Sequence, residues 1–307
     1  MTFDRSRLTV RSAAGRKSTV RLADARRGEA GVPAWDEPPE FAAAVRWLKE
    51  RKGLKVWFLG GHVFKANVGW YLRELIRWGW VDHLALTGAG LVHDWELACL
   101  GHTGEVVPES LPDGSFGMWE EISRLNAVVM ENWLLRRGGC AAAVGQCMTR
   151  GAVGQYMNRG VLGESVRRGV HVTAHVAVGQ DVFFQHPNCD GAAWGGASYA
   201  DFLTFAQTVE GLQGGTYLSF GSAVASPEVF LKALSMARNV SGGKPDDVAV
   251  AVFDRAGLPS CPAERYFHRP SKTLLGRAAS QSVFVQGTHE VTIPHLWKAL
   301  CSKSSTA

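Results

Sequence analysis

Long apolar runs are missing from this 307-residue chain, and no apolar export-signal core follows its start. A membrane helix needs roughly 20 consecutive apolar residues, so the sequence offers no spanning segment. Without a signal-like stretch, the chain is expected in the cytoplasm. Cysteine is sparse: Cys99, Cys140, Cys147, Cys189, Cys261 and Cys301 show no CxxC spacing. That argues against a disulfide framework and for free thiols in a reducing compartment. The GxGxxG fingerprint of standard dinucleotide folds is absent. Aromatic residues are absent from the most basic segment, where seven arginines and Lys17 fall between Arg5 and Arg27 against the one acid Asp24. Base stacking needs aromatics, so nucleic acid is not the expected partner.

What is present is ordinary for a globular protein: 46% hydrophobic residues, 20% charged, and a net charge of +5. The positive charge gathers in residues 1–38, a segment closed by Pro33 and Pro38-Pro39. It reads as a solvated, mobile arm. Residues 39–307 read as a single α/β domain. Tryptophan is abundant, and several copies stand beside glycine: Gly69-Trp70, Trp78-Gly79-Trp80 and Trp194-Gly195. These suggest flat apolar surfaces at turns or subunit contacts.

The stretch 58–105 is the most informative. A short apolar strand, VWFL, runs into Gly60-Gly61, and a helix striped with Trp70, Leu72, Leu75 and Ile76 follows. A second strand, VDHLALTG, meets the turn Gly88-Ala89-Gly90, and a helix is expected from about Asp94. Parallel strands need such crossovers, and ligands sit where their carboxyl ends open out. The rhythm continues along the chain. Helices are expected over 40–52 and 118–137, and a strand over His171–Gly179. After the polar loop Gln185–Ser198 come a helix over Tyr199–Glu210 and a strand over Thr216–Phe220 ending in Gly221-Ser222. Pro227 suits the first turn of the next helix. Strands over Val248–Phe253 and Ser282–Val285 and a helix over Pro294–Cys301 close the pattern. A short echo, 143–148 and 152–157, reads as two similar helical turns. Six or seven strands alternating with helices predict a mostly parallel, doubly wound, Rossmann-like sheet.

Five glycine turns fall at predicted strand ends: Gly60-Gly61, Gly88-Ala89-Gly90, Gly179, Gly221-Ser222 and Gly287, the last followed by Thr288. All point to one edge of the sheet. Glycine there lets a pyrophosphate approach backbone N–H groups at a helix start. The plain alternative is that glycine only ends strands. His62, His93, His186 and His289 stand beside these turns or in the polar loop, and are the candidates for acid–base work. The alternative for each is a hydrogen-bonded structural ring. Asp94 and Asp190 are candidates for holding a substrate ammonium, with Asp181 and Glu228 behind them. Lys65 suits a phosphate or carboxylate. No metal is expected: on a strand, His171 and His175 lie about 13 Å apart at roughly 3.3 Å per residue.

Gly60, Gly69 and Thr87-Gly88-Ala89-Gly90 with Asp94 resemble the deoxyhypusine synthase-like NAD-binding family. His93-Asp94-Trp95-Glu96 after a small-residue turn is similar to the C-terminal NAD-binding domain of ornithine cyclodeaminases. The resemblance covers about fifty residues. It implies NAD as cofactor, contacted through Gly60, Thr87, Gly88, Ala89, Gly287 and Thr288. It implies an amine or amino-acid substrate, hydride abstraction, and an imine that deaminates, cyclises or accepts another amine. It also implies a homotetramer built as a dimer of dimers. Lys272 lies near the place of that family's imine-forming lysine, but the surrounding tryptophan and acidic motif is absent, so covalent transfer is not expected. Two other classes stay open: a non-catalytic nucleotide-binding subunit, and a histidine-dependent hydrolase or lyase without NAD.

Overall fold

The computed structural model of the chain describes residues 3–151, 154–276 and 278–301. In chain order its elements are β1 (Ser18–Arg21), α1 (Pro39–Glu50), β2 (Lys55–Leu59), α2 (Gly61–Lys65), α3 (Gly69–Arg77), β3 (His83–Thr87), α4 (Gly88–Leu100), β4 (His102–Glu105), α5 (Val107–Ser110) and α6 (Glu120–Arg136). They continue with α7 (Cys140–Arg150), α8 (Val161–Arg167), β5 (His171–His175), α9 (Gly191–Glu210), β6 (Gly215–Phe220), α10 (Ala225–Val240), β7 (Val248–Asp254), α11 (Pro262–Phe267), α12 (Arg269–Lys272), β8 (Gln281–Gln286) and α13 (His289–Cys301).

Runs such as VWFL and VAVAVF are apolar at every position, which suits strands covered by helices on both faces. Six strands form one parallel sheet in the order β5-β3-β2-β6-β7-β8. Within this sheet the chain enters at β2, builds outward to β5, then returns to β6 and builds the other way. The reversal between β2 and β6 is a topological switch point, where open α/β sheets bind ligands. This is the doubly wound α/β fold expected from the alternation of elements, with six strands.

Side chains alternate across the sheet with period 2. Trp57, Leu59, Leu218, Phe220, Ala251 and Phe253 join one core layer with Phe41, Leu72 and Ile293 of α1, α3 and α13. Val56, Phe58, Tyr217, Val250 and Val252 join the other, with Phe205 and Phe230 of α9 and α10. Trp57, Phe220 and Phe253 stack across three neighbouring strands at 5.0 and 4.5 Å between ring centroids. The two strands that flank the switch point are thus clamped by aromatic packing.

Several boundaries differ from expectation, each for a local reason. The helix after Gly61 breaks into α2 and α3 at Asn67, which holds a φ of 57°. Helix α4 starts at Gly88 rather than near Asp94, because the Thr87 hydroxyl accepts the Gly90 N–H at 3.0 Å and caps it. Helix α9 starts at Gly191, inside the polar loop, because Asp190 caps it. Helix α13 starts at His289 and carries Pro294 inside.

Residues around the basic segment are built into the molecule. Strand β1 pairs antiparallel with β4, Val20 opposite Thr103, and the Arg16 side chain is only 2% exposed. The tryptophans beside glycine mostly turn inward. Trp194 stacks on Phe183 at 3.9 Å and Trp70 meets Trp297 at 5.3 Å; Trp78 is the exposed one. All six cysteines are free. The second half of the short echo begins at Ala152-Val153, outside the described residues; its first half lies in α7. Among the described residues no helix is long and apolar enough to cross a membrane.

Candidate functional site at the sheet switch point

Each strand of the central pair runs one residue past its end before the chain turns away. The Gly60 N–H donates to the Phe220 carbonyl at 2.8 Å, and the Gly221 N–H to the Phe253 carbonyl at 3.1 Å. A Cβ on Gly60 would collide with the Gly221 carbonyl. Gly221 holds a φ of +59°, and a Cβ there would come within 2.5 Å of His289 Nε2. Glycine is needed at both positions, one for space and one for backbone conformation as well. The result is a close meeting of two strand exits with the start of α13.

Between these exits lies a cavity of about 260 Å³, bounded by His62, Gly221, Asp254, Arg255, Thr288 and His289. His289 is 5% exposed, and its Nδ1 has no hydrogen-bond partner among the described residues. Burial lowers its pKa, against the pull of the nearby Asp254 and Glu290 carboxylates. His62 stands on α2, more open to solvent. Burial, then the Lys65 and Arg255 cations, lower its pKa; Asp254 opposes them. Asp254 uses one oxygen to accept the Ala256 N–H at 3.0 Å. The cavity therefore offers two imidazoles biased to the neutral form, a carboxylate and a guanidinium. Those groups can take up a proton, pair a cation and pair an anion.

His93 stands on the other side of Gly61. A Cβ on Gly61 would lie 3.1 Å from the His93 Cδ2 edge and 3.0 Å from the Ala89 Cβ. The ring is 15% exposed, and its Nδ1 lies 2.8 Å from the Thr103 hydroxyl.

Other candidate residues are used inside the fold. Asp94, expected to hold a substrate ammonium, is 1% exposed. Its two oxygens accept the N–H groups of Val161 and Leu162 at 2.9 and 2.8 Å, capping α8. His186 is fully buried; its Nε2 donates to the Gly117 carbonyl at 2.7 Å, and its Nδ1 faces the Ser123 hydroxyl at 2.9 Å. Asp190 accepts the Ala192 and Ala193 N–H groups, as a helix cap does. The Ser222 hydroxyl accepts the Ser226 N–H at 3.0 Å and is also buried. Lys65 projects to solvent on α2. Gly88 faces the Asp181 carboxylate so closely that any Cβ would strike it. The structure thus brings together Gly60, Gly61, His62, Gly221, Thr288 and His289, with His93 and Ala89 behind Gly61. It keeps Asp94 and His186 out of reach.

Asp254 and Arg255 were not among the sequence candidates. The signal was available: the run VAVAVF ends directly in a charged pair, at the same strand-end position that marked the glycines.

Neither a protein-family model nor a curated protein matches the chain. Solved structures do share its fold. It superposes on AgrE in ternary complex with ornithine and NAD+ at a TM-score of 0.54 and 19% identity, over 90% of this chain and 34% of that one. ArgZ, an arginine dihydrolase from the ornithine–ammonia cycle in cyanobacteria, gives 0.52 and 17%, over 86% and 32%. A conserved putative LOR/SDH protein from Methanococcus maripaludis S2 gives 0.54 and 15%, over 88% and 72%. The chain spans about a third of the length of ArgZ and AgrE. At these identities the likeness is one of fold.

Proposed function

We propose that the chain binds NAD across the switch point and acts on an amine or amino acid by hydride abstraction from a C–N carbon. The observation that carries this is the cavity at the reversal of strand order, lined by Gly221 and by the buried His289, whose Nδ1 has no partner among the described residues. AgrE, which shares the fold, was solved with ornithine and NAD+. The residues present fit a dinucleotide: Gly221 gives the cavity a bare stretch of backbone, and Gly60 and Gly61 let the strand exits and Ala89 pack closely behind it. Thr288 offers a hydroxyl, and Arg255 a cation for the phosphates. The Thr87–Gly90 turn reaches the same place through Ala89, which abuts Gly61. NAD, when bound, accepts the hydride. The chain's own groups supply the rest. Asp254 and Glu290 pair the substrate ammonium, and an imidazole, His62, His93 or His289, takes its proton. The imine left on the substrate is then open to deamination, cyclisation or amine transfer. The assembly belongs to the same proposal: a homo-oligomer, a dimer of dimers, which light scattering at micromolar concentration tests.

The decisive experiment is to denature the purified protein and weigh any nucleotide it releases, then titrate the stripped protein with NAD. The mass of NAD, or saturable NAD binding, supports the reading. Absence of both overturns it.

A further inference from the structure

Four side chains from three parts of the sequence form a chain of contacts that ends at His93. Arg16, from the basic N-terminal segment, is 2% exposed and pairs with Glu96, itself 6% exposed. Arg16 is steadied by the Ser18 hydroxyl at 3.2 Å and lies over the Trp119 ring at 5.7 Å. Glu96 in turn accepts the hydroxyl hydrogen of Thr103, a fully buried residue of β4. The Thr103 oxygen lies 2.8 Å from His93 Nδ1, while the direct distance from Nδ1 to Glu96 is 3.6 Å. The hydroxyl therefore carries the link.

Proton counting settles the direction of every bond. Burial works against the Glu96 charge, but the facing His93 and Arg16 groups outweigh it and hold its pKa at about 2. A carboxylate only accepts, so the one Thr103 hydrogen goes to Glu96. The Thr103 lone pair must then face a hydrogen on His93 Nδ1. In the neutral ring this leaves Nε2 as the bare, proton-accepting nitrogen. Nε2 makes no hydrogen bond among the described residues. It adjoins Cδ2, the ring edge that faces Gly61.

We infer that Arg16, Glu96 and Thr103 are positioning residues that hold His93 as its Nδ1–H tautomer and present its Nε2 at the Gly60–Gly61 turn as the proton acceptor of the site. The inference rests on the proposed function for what His93 deprotonates. It assigns the basic N-terminal segment a working part: through Arg16 it keeps Glu96 ionised and the relay aligned. A carboxylate that fixes the tautomer and orientation of an imidazole is a general device of acid–base sites.

The test uses the whole chain, with histidine side-chain nitrogens read by ¹⁵N NMR above pH 8, in the wild type, Thr103→Val and Thr103→Ser. The wild type is expected to show a hydrogen on His93 Nδ1 and none on Nε2. In Thr103→Val the ratio shifts about tenfold toward Nε2–H, the size of one hydrogen bond in a charged chain, and Thr103→Ser restores it. Modification of His93 by diethyl pyrocarbonate, which needs the bare Nε2, slows and recovers in parallel. Should Thr103→Val not fold, Thr103→Ala, which adds no bulk, reads the same quantities. An Nε2–H tautomer in the wild type, or a tautomer and reactivity unmoved by loss of the hydroxyl, overturns the inference. Neither readout needs NAD or a substrate. Failure of the relay is thus distinguished from failure of the NAD reading, which shows instead as absent nucleotide.

Discussion

Two strand exits carry the same local pattern, and the fold treats them differently. At the end of β2, Gly60-Gly61 is followed by His62, and the neighbouring ends of β6, β7 and β8 add Gly221, Asp254 and His289. There the polar groups keep open valences around a cavity. At the end of β3, Thr87–Gly90 is followed by His93 and Asp94. There Thr87 caps α4, Asp94 caps α8, and Asp181 crowds Gly88. Both exits run from glycine to histidine in sequence; the acid follows directly at the β3 exit, as Asp94, and is brought to the β2 exit from β7, as Asp254. They differ in how far the acid is consumed by backbone N–H groups: both oxygens of Asp94 are, against one of Asp254. A polar group already satisfied by the fold stabilises it; one left open is available to a ligand.

That contrast can be broken by substitution, and the largest effect belongs to the closed exit. Asp94→Ala leaves two buried N–H groups of α8 without acceptors and is expected to cost on the order of 3 kcal/mol in urea unfolding. Asp94→Asn, which keeps an acceptor oxygen, costs less. If Asp94→Ala unfolds like the wild type, the exit is not closed in the sense argued. Gly88→Val drives a side chain into Asp181 and should destabilise by about 2 kcal/mol, as overpacking does. A normal unfolding curve for Gly88→Val would show that Asp181 yields freely. At the open exit the balance reverses. Ala223, exposed on the cavity rim, can become Trp with little change in melting temperature, while NAD affinity falls at least about tenfold, or 1.4 kcal/mol. Calorimetric titration that finds unchanged affinity would place the nucleotide elsewhere.

A pH experiment sharpens the comparison further. His175 ends β5 beside Thr87, on the closed side, and burial lowers its pKa to about 3. Above its ordinary value of about 6.5 the ring is neutral in both folded and unfolded chains. Between pH 6.5 and 3 the unfolded chain takes up a proton that the folded chain refuses, so stability is lost as the pH falls. One such ring contributes about 1.4 kcal/mol per pH unit across that window. Asp94 and Asp201, which burial raises to about 6, pull the other way below pH 6. The quantity to measure is therefore the difference in slope between the wild type and His175→Phe, a ring that suits the Phe58 and Phe205 neighbours. Equal slopes would mean that His175 protonates freely when folded. The smallest effect is at the open exit. Lys65→Met removes a cation that holds His62 down, so an NMR titration of His62 should move upward; an unmoved titration would separate the two side chains.

Much of the fold is legible in the sequence. The apolar runs at 56–59, 216–220 and 248–253 mark strands buried on both faces, and all three form within a residue or so of the expected ends. Helix starts were less legible, because caps at Thr87 and Asp190 begin α4 and α9 ahead of their apolar stripes. The pairing of β1 with β4 is not legible in the sequence, because its partners lie more than eighty residues apart. Gly60 and Gly221 fall at the sheet edge that carries the cavity, but which histidine stays open there is not written in any local pattern.

The sequence alone determined the alternation of strand and helix and the placing of glycine turns at strand ends. These depend on side-chain periodicity and backbone freedom, which act over a few residues. The tertiary structure alone decided the strand order, the switch point it creates, and the sorting of polar groups into used and open. Hydrogen-bond satisfaction is a property of neighbours in space. Asp94 meets its partners at Val161 and Leu162, and His93 meets Arg16 only through β4 and a buried glutamate. No reading of either residue with its sequence neighbours contains those partners.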